Sequence, residues 1–211
     1  MKRILAILLI ALTALTLHGC KKEDPYADVP NPVATITLTD GREMHFELYV
    51  QKAPNTVANF VSLANSGYYD GMTFYRVLPG CLVQTGDARG DGTGTPGYSI
   101  KGEFSANGFA ANDISHVRGT ISMARLEEYD SAGSQFFILQ GSYPEYDGQY
   151  AAFGRAMDEE TLAVLDSITN VHVDVHQRPL EAVYIETVRV DTKGYKYEPV
   201  IIREEEDNGE E

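Results

Sequence analysis

The apolar pattern changes character along the chain. In VATITLTDGREMHFELY, residues 33–49, apolar and polar positions alternate with period 2 on either side of Asp40-Gly41, which predicts a hairpin turning at that dipeptide. In APNTVANFVSLANSGYYDG the period lengthens. Val57, Phe60, Val61 and Ala64 fall on one face of a helix that Pro54 opens and Gly67 ends. DEETLAVLDSITN predicts a second helix, with Asp158 as its cap, acids in the first turn, and Leu162, Leu165 and Ile168 turned inward. Short runs around residues 72–77, 82–85, 120–124, 135–139, 152–156 and 183–190 read as strands. Many short strands, glycine-rich turns and two helices predict a mainly β fold, a closed antiparallel barrel.

Composition narrows this picture. The chain has 211 residues, 43% of them hydrophobic, enough for one sizeable domain, read here as residues 33–202. The formal net charge is −14, and residues 203–211, REEEDNGEE, hold six acids against one arginine. That segment reads as a solvated, disordered acidic tail. No basic stripe is present, so nucleic acid is not an expected partner.

The N-terminus reads as a processing signal. Lys2 and Arg3 precede an apolar run that is short for a membrane span and ends in Leu17-His18-Gly19-Cys20. This resembles a bacterial lipoprotein signal, in which a small residue precedes a cysteine that is lipidated and becomes the new N-terminus. Residues 1–19 are then the signal, Cys20 the lipidation site, and residues 20–32 a charged, proline-containing linker from the membrane. The stretch from Lys21 to Asp24 resembles the lysine-plus-acid signal of some surface-displayed Bacteroidetes lipoproteins. The expected location is the bacterial cell envelope. Cys81 is then the one remaining thiol, which excludes an internal disulfide in the mature domain.

Several motifs fail on their context. Gly92-Thr93-Gly94-Thr95-Pro96-Gly97 spells G-x-G-x-x-G, but Pro96 and Gly97 lead into a loop and not a phosphate-binding helix. The segment from Asp87 to Gly92 begins like a calcium loop, yet Arg89 holds a ligand position and Tyr98 stands where the closing glutamate belongs. His172 and His176 lie in a valine-alternating run without the helix and glutamate of a zinc motif. Cys81 with His116 as its base is a possible thiol pair, but nothing local activates the cysteine, and a small buried thiol is the commoner role.

The informative stretch is FYRVLPGCLVQTGD, residues 74–87, where Arg76 sits among residues suited to burial. An arginine there needs a partner or a purpose, and a carboxylate such as Glu103 is the simplest partner. Strand alternation puts Phe74 with Arg76, Leu82 with Gln84, and Gln135 with Phe137, each pair sharing a face. If those faces converge, they form an apolar patch carrying one arginine and two amides, which suits ligand binding without a nucleophile.

FYRVLPGCLVQTGD, GTGTPGYSIKGEF, RGTISMAR, SAGSQFFI and YDGQYAAFGRA together resemble the cyclophilins, peptidyl-prolyl cis-trans isomerases, in that family's order and across residues 33–191. The resemblance implies an eight-stranded β-barrel capped by two α-helices, activity on X-Pro bonds in proline-containing polypeptides, and no cofactor or metal. By resemblance Arg76 is the catalytic donor to the proline nitrogen and Gln84 holds it. Phe74, Leu82 and Phe137 match the apolar wall and floor. Gln135 and the backbone at Ala124 and Arg125 match positions that hold the flanking peptide, and Tyr146 and Tyr150 complete the substrate-binding set.

The chain departs from the best-known eukaryotic members at four places. Cys81 replaces an aromatic wall, Glu145 replaces a tryptophan, Tyr150 replaces a histidine, and Arg125 replaces an asparagine. Loss of the indole implies weak cyclosporin binding. Two function classes follow: an isomerase assisting the folding of exported proteins, and a binding or chaperone module with a loosened pocket. The set Arg76, Gln84, Gln135 and Phe137 favours the isomerase, because peptide binding alone does not require the donor. A monomer is expected.

Overall fold

The computed structural model describes Tyr26 and residues 28–202. The expected signal at residues 1–19, Cys20, the first part of the expected linker and the expected tail at 203–211 lie outside the described residues. The end of the expected linker lies against the domain. Tyr26 stacks on Tyr197 at 6.2 Å, and Gln51 Nε2 donates to the carbonyls of Tyr26 and Val29 at 3.1 and 2.7 Å.

Eight strands and two helices follow in the order β1 (Val33–Leu38), β2 (Glu43–Leu48), α1 (Pro54–Asn65), β3 (Arg76–Leu78), β4 (Leu82–Thr85), β5 (Thr120–Met123), β6 (Phe136–Leu139), β7 (Ala152–Ala156), α2 (Glu159–Thr169) and β8 (Ile185–Asp191). Every pairing is antiparallel, and the strand order is β3-β4-β6-β5-β7-β2-β1-β8. The first hairpin turns through Asp40-Gly41 as expected, with Gly41 at φ 85°, a left-handed conformation open to glycine.

The sheet is an open half-barrel, which corrects the expected closed barrel. Its end strands β3 and β8 share no ladder; around their starts the chain is joined by the isolated pair Thr73↔Tyr184 and by backbone bonds from Phe74 N to Val183 O, Gly71 N to Ile185 O and Ile185 N to Met72 O at 3.1, 2.9 and 2.8 Å. The physical reason is local. The strand expected over residues 72–77 is ordered as a ladder only from Arg76, and the Gln177 carbonyl accepts from Val77 N at 2.8 Å on the edge that closure would need.

Both helices form where the pattern put them, but they are capped differently. Asp158 caps α2 by accepting from Thr161 N at 2.7 Å, with Glu159 and Glu160 in the first turn. Ala53 has no side chain to cap α1, so buried Glu103 serves from a distant loop. It accepts from Asn55 N, Thr56 N and Thr56 Oγ1 at 3.0, 2.7 and 2.8 Å. The carboxylate proposed as the bland partner of Arg76 is thereby spent elsewhere.

Alternation divides the sheet into two faces. Val77, Val83, Ile138 and Ile121 stand opposite one another and point inward to the main core. There Phe60 of α1 meets Tyr69, Phe136 and Phe153 at 5.5, 5.3 and 5.1 Å between ring centres. On the other face Leu82, Phe137 and Leu139 form a separate small cluster against Cys81, Tyr143, Tyr146 and Tyr150.

His116 lies behind that second cluster, 1% exposed, its ring stacked 6.3 Å from Phe137 and edge-on to Tyr146 and Tyr150. Asp147 can only accept, so Nδ1–H donates to it at 3.0 Å, and Nε2 accepts from the Ser122 hydroxyl at 3.0 Å. Burial holds the His116 pKa below its ordinary value of 6.5, against the opposing pull of Asp147. A depressed histidine pKa means that the unfolded chain binds the proton more readily. The contribution to stability is full above 6.5 and is lost as pH falls toward the lower folded value. His116→Gln should therefore be less stable than the wild type at pH 7.5, and the gap in melting temperature should narrow on acidification to pH 5. A gap independent of pH would show that this ring does not titrate with unfolding.

Candidate functional site

The turn after β3 sets the site. Pro79-Gly80 reverses the chain, Cys81 N donates to Leu78 O at 2.9 Å, and Gly80 takes φ 77°, so β4 returns with Gln84 opposite Arg76. In the next pairings Gln84 faces Phe137, and Phe137 faces Ser122. Directly opposed residues of an antiparallel ladder share a face, so the arginine, the amide and the aromatic floor stand in one row.

Hydrogen bonds run along that row. Arg76 is half-buried, and its Nη1 donates to Gln84 Oε1 at 3.1 Å. Gln84, 9% exposed, donates from Nε2 to the Tyr75 hydroxyl and to Gln135 Oε1, the latter at 3.1 Å. Tyr75 donates in turn to Gln135 Oε1. Burial, and then the nearby Asp87 charge, push the Tyr75 phenol up to about 12, so it keeps its proton and remains a donor at neutral pH. Among the described residues no carboxylate lies within ion-pair distance of Arg76.

The Gln135 amide is also held from its other end. Its Nε2 donates to the carbonyls of Gly92 and Gly94 at 3.2 and 3.0 Å, which ties the glycine loop to the site. That loop is built around buried Asp87, whose carboxylate accepts from Arg89 N at 2.8 Å, Asp91 N at 3.0 Å and Gly92 N. Within the G-x-G-x-x-G run Gly92 N donates to Asp87, Thr93 N to Asp91 Oδ1 at 2.9 Å and Gly97 N to Thr95 Oγ1 at 3.0 Å, so these donors are already engaged. The bonds to Asp87 turn it away from a calcium-ligand role. At Gly86, with φ 86°, a Cβ would lie 2.3 Å from Ser134 O, so only glycine brings the loop this close to β6.

Next to the donors lies the apolar floor of Leu82 and Phe137. Tyr146 and Tyr150 stand edge-on to Phe137 at 6.0 and 5.7 Å, and Tyr143 stacks on Tyr146 at 5.7 Å. Cys81 is half-buried and packs in the same cluster as Tyr143 and Tyr146. His116 has both ring nitrogens engaged and so is unavailable as a base for this thiol.

Ala124 and Arg125 form the rim. Ala124 N donates to Gln135 O at 2.9 Å. The Arg125 guanidinium lies over Tyr150, Tyr129 and Phe104 at 4.8, 5.0 and 5.3 Å and donates to the carbonyls of Gln149, Leu126 and Glu127. A cavity of 650 Å³ opens between this rim, Tyr75 and the glycine loop, and a shallower one of 390 Å³ lies over Arg76 toward His176 and Arg178. Tyr75, Gln84 and Gly92 line both cavities, and neither is lined by Leu82 or Phe137.

The structure thus gathers Arg76, Gln84, Leu82, Gln135, Phe137, Ala124, Arg125, Tyr146 and Tyr150. Phe74 lies elsewhere, fully buried in the main core. The alternation used to pair it with Arg76 does not hold, because residues 74 and 75 sit between the Thr73 bridge and the β3 ladder and belong to neither. Tyr75 and Gln177 join the site without having been anticipated; Tyr75 could have been found by asking which neighbour carries a phenol that needs a partner. Residues 172–180 fold into a small hairpin with Val173 opposite Pro179, and among the described residues no three His, Cys, Asp or Glu side chains converge as metal ligands.

Comparison with known proteins gives a consistent answer. The family model described as cyclophilin type peptidyl-prolyl cis-trans isomerase/CLD matches residues 33–190. A peptidyl-prolyl cis-trans isomerase of Synechococcus elongatus is 43% identical over 135 residues, covering 64% of this chain and 88% of its own. Peptidyl-prolyl cis-trans isomerase B of Bacillus subtilis is 48% identical over 118 residues, 56% of this chain and 78% of its own. Among solved structures, a Cryptosporidium parvum cyclophilin-type isomerase crystallised in the presence of the dipeptide Ala-Pro superposes with a TM-score of 0.66 at 30% identity, covering 75% of this chain and 98% of that one. The chain belongs to the cyclophilin-type peptidyl-prolyl cis-trans isomerases and is an enzyme of that type.

Proposed function

We propose that this isomerase acts on exported polypeptides at a bacterial cell envelope, held there by lipid on Cys20, and that Arg76 is its catalytic donor. Rotation about an X-Pro bond faces a barrier of about 20 kcal/mol because the amide nitrogen is conjugated with its carbonyl. Twisting the bond localises the lone pair on that nitrogen. A hydrogen-bond donor aimed at the nitrogen then stabilises the twisted state more than the planar one, and no covalent step is needed. The observation that carries this reading is the row in which Arg76, steadied by Gln84, stands beside the Leu82–Phe137 floor with no carboxylate among the described residues to draw it away.

The remaining roles follow from position. Leu82 and Phe137 receive the proline ring, with Tyr146 and Tyr150 behind them. The Ala124 and Arg125 backbone flanks the chain ahead of the proline. Gln135, whose amide is engaged with Tyr75, Gln84 and the glycine loop, shapes the groove and meets a substrate carbonyl only by exchanging one of those bonds. At the envelope, slow X-Pro isomerisation limits folding in a compartment without ATP, which suits an anchored catalyst. The protein works as a monomer.

Arg76→Ala should lower kcat/KM for an X-Pro peptide by about two to three orders of magnitude, the usual cost of removing a transition-state donor. Arg76→Lys should recover little, since a point charge cannot hold a planar fork. Because Arg76 makes no ion pair among the described residues, both variants should melt close to the wild type; a protein that no longer folds would mean that the arginine is structural. For the anchor, Cys20→Ala should abolish lipid attachment as read by the mass of the purified protein, and lipid retained on that variant would remove the lipoprotein assignment.

A further inference from the structure

Arg76 is gripped twice. Gln84 takes Nη1 from within the sheet, and Gln177 Oε1 accepts from Nε at 2.9 Å from the opposite side. One bond leaves a guanidinium free to swivel about it, whereas bonds at Nε and Nη1 together fix its plane. Among the described residues Nη2 then has no partner in the chain, and Arg76 lines the shallow cavity it shares with Gln84 and His176.

The hairpin between α2 and β8 is built to deliver Gln177. Asp174 Oδ1 accepts from His176 N and Arg178 N at 2.8 and 2.9 Å, Gln177 N donates to Asp174 O at 3.0 Å, and Leu180 N donates to His172 O at 2.8 Å. The tip docks on β3 through the backbone, Val77 N donating to Gln177 O. Gln177 itself stands at φ 66°, a left-handed conformation that glycine adopts freely and a glutamine does not. The docking bond needs only the main chain at this position. The side chain is exposed, and its hydrogen bond is to Arg76. A position where the backbone favours glycine, filled by a residue whose amide reaches the arginine, is strain kept for a purpose.

We propose that Gln177 is a positioning residue for the reaction, orienting the Arg76 guanidinium so that Nη2 points at the prolyl bond. The inference rests on Arg76 being the donor. Gln177 touches no substrate atom, so its loss acts on the transition state through Arg76 and leaves peptide affinity alone.

The decisive variant is Gln177→Gly, which keeps the docking carbonyl and relieves the backbone while removing the amide. It should melt no lower than the wild type. Its kcat should fall by about tenfold, short of the roughly hundredfold cost of a fully misplaced group, with KM within about twofold. In an Arg76→Ala background the same change should cost nothing more, since the group it orients is gone. The Arg76 Hε resonance, identified by its absence in Arg76→Ala, should exchange faster with solvent in Gln177→Gly. An unchanged kcat, a loss that persists without Arg76, or a fall in kcat that tracks a fall in melting temperature would each overturn the proposal. Should Arg76→Ala alone keep full activity, the donor assignment fails, and this inference with it. Loss of activity in Arg76→Ala alongside an unaffected Gln177→Gly would sink only the role of Gln177.

Discussion

The register between β3, β4 and β6 is the constraint on which the rest depends. It sets Arg76 opposite Gln84 and Gln84 opposite Phe137, so a charge, an amide and an aromatic ring share one face of a sheet whose other face is core. A slip of one residue would bury the guanidinium among Phe60, Phe136 and Phe153 and turn Val77 and Val83 to solvent. The inward valines and isoleucines therefore enforce the site as much as they stabilise the fold. The Pro79-Gly80 turn and the Asp87-centred loop that grips Gln135 hold the same register at its two ends.

Much of this was legible in the sequence where the signal is local. The Asp40-Gly41 hairpin, the Asp158 cap and the apolar stripe of α1 each follow from a few neighbouring residues. What escaped depends on distant parts of the chain. Nothing beside Ala53 announces that Glu103 caps α1 from a loop about fifty residues on, an acid that sequence reasoning could equally have paired with Arg76. Phe74 was misplaced because alternation is valid only inside a ladder, and β3 begins two residues later. The closed barrel failed for a related reason: whether β3 and β8 pair turns on the intervening hairpin, whose tip occupies Val77 N. Gln177 was invisible because neither its left-handed backbone nor its reach to Arg76 leaves a mark on residue order.

The departures at Cys81 and Glu145 look different once the surroundings are known. Tyr143, Tyr146 and Tyr150 form a continuous aromatic bank beside Phe137, with Cys81 packed against it, so the floor keeps its apolar character without a tryptophan or a second phenylalanine. Arg125 does not leave a dangling charge at the rim. It is stacked among three rings and bonded to three carbonyls, which stiffens the segment that borders the larger cavity. The row from Arg76 to Gln135 is thus built from polar side chains held by one another, and the cluster beside it from rings.

Exchange spectroscopy on an X-Pro peptide, with the protein present at substoichiometric amounts, tests the central claim most directly because one sample reports both binding and turnover. The account predicts that cis and trans resonances exchange far faster than in free peptide. Broadening of the peptide resonances by binding, with no gain in exchange, would contradict it and would make the groove a peptide clamp in which Arg76 does no catalytic work.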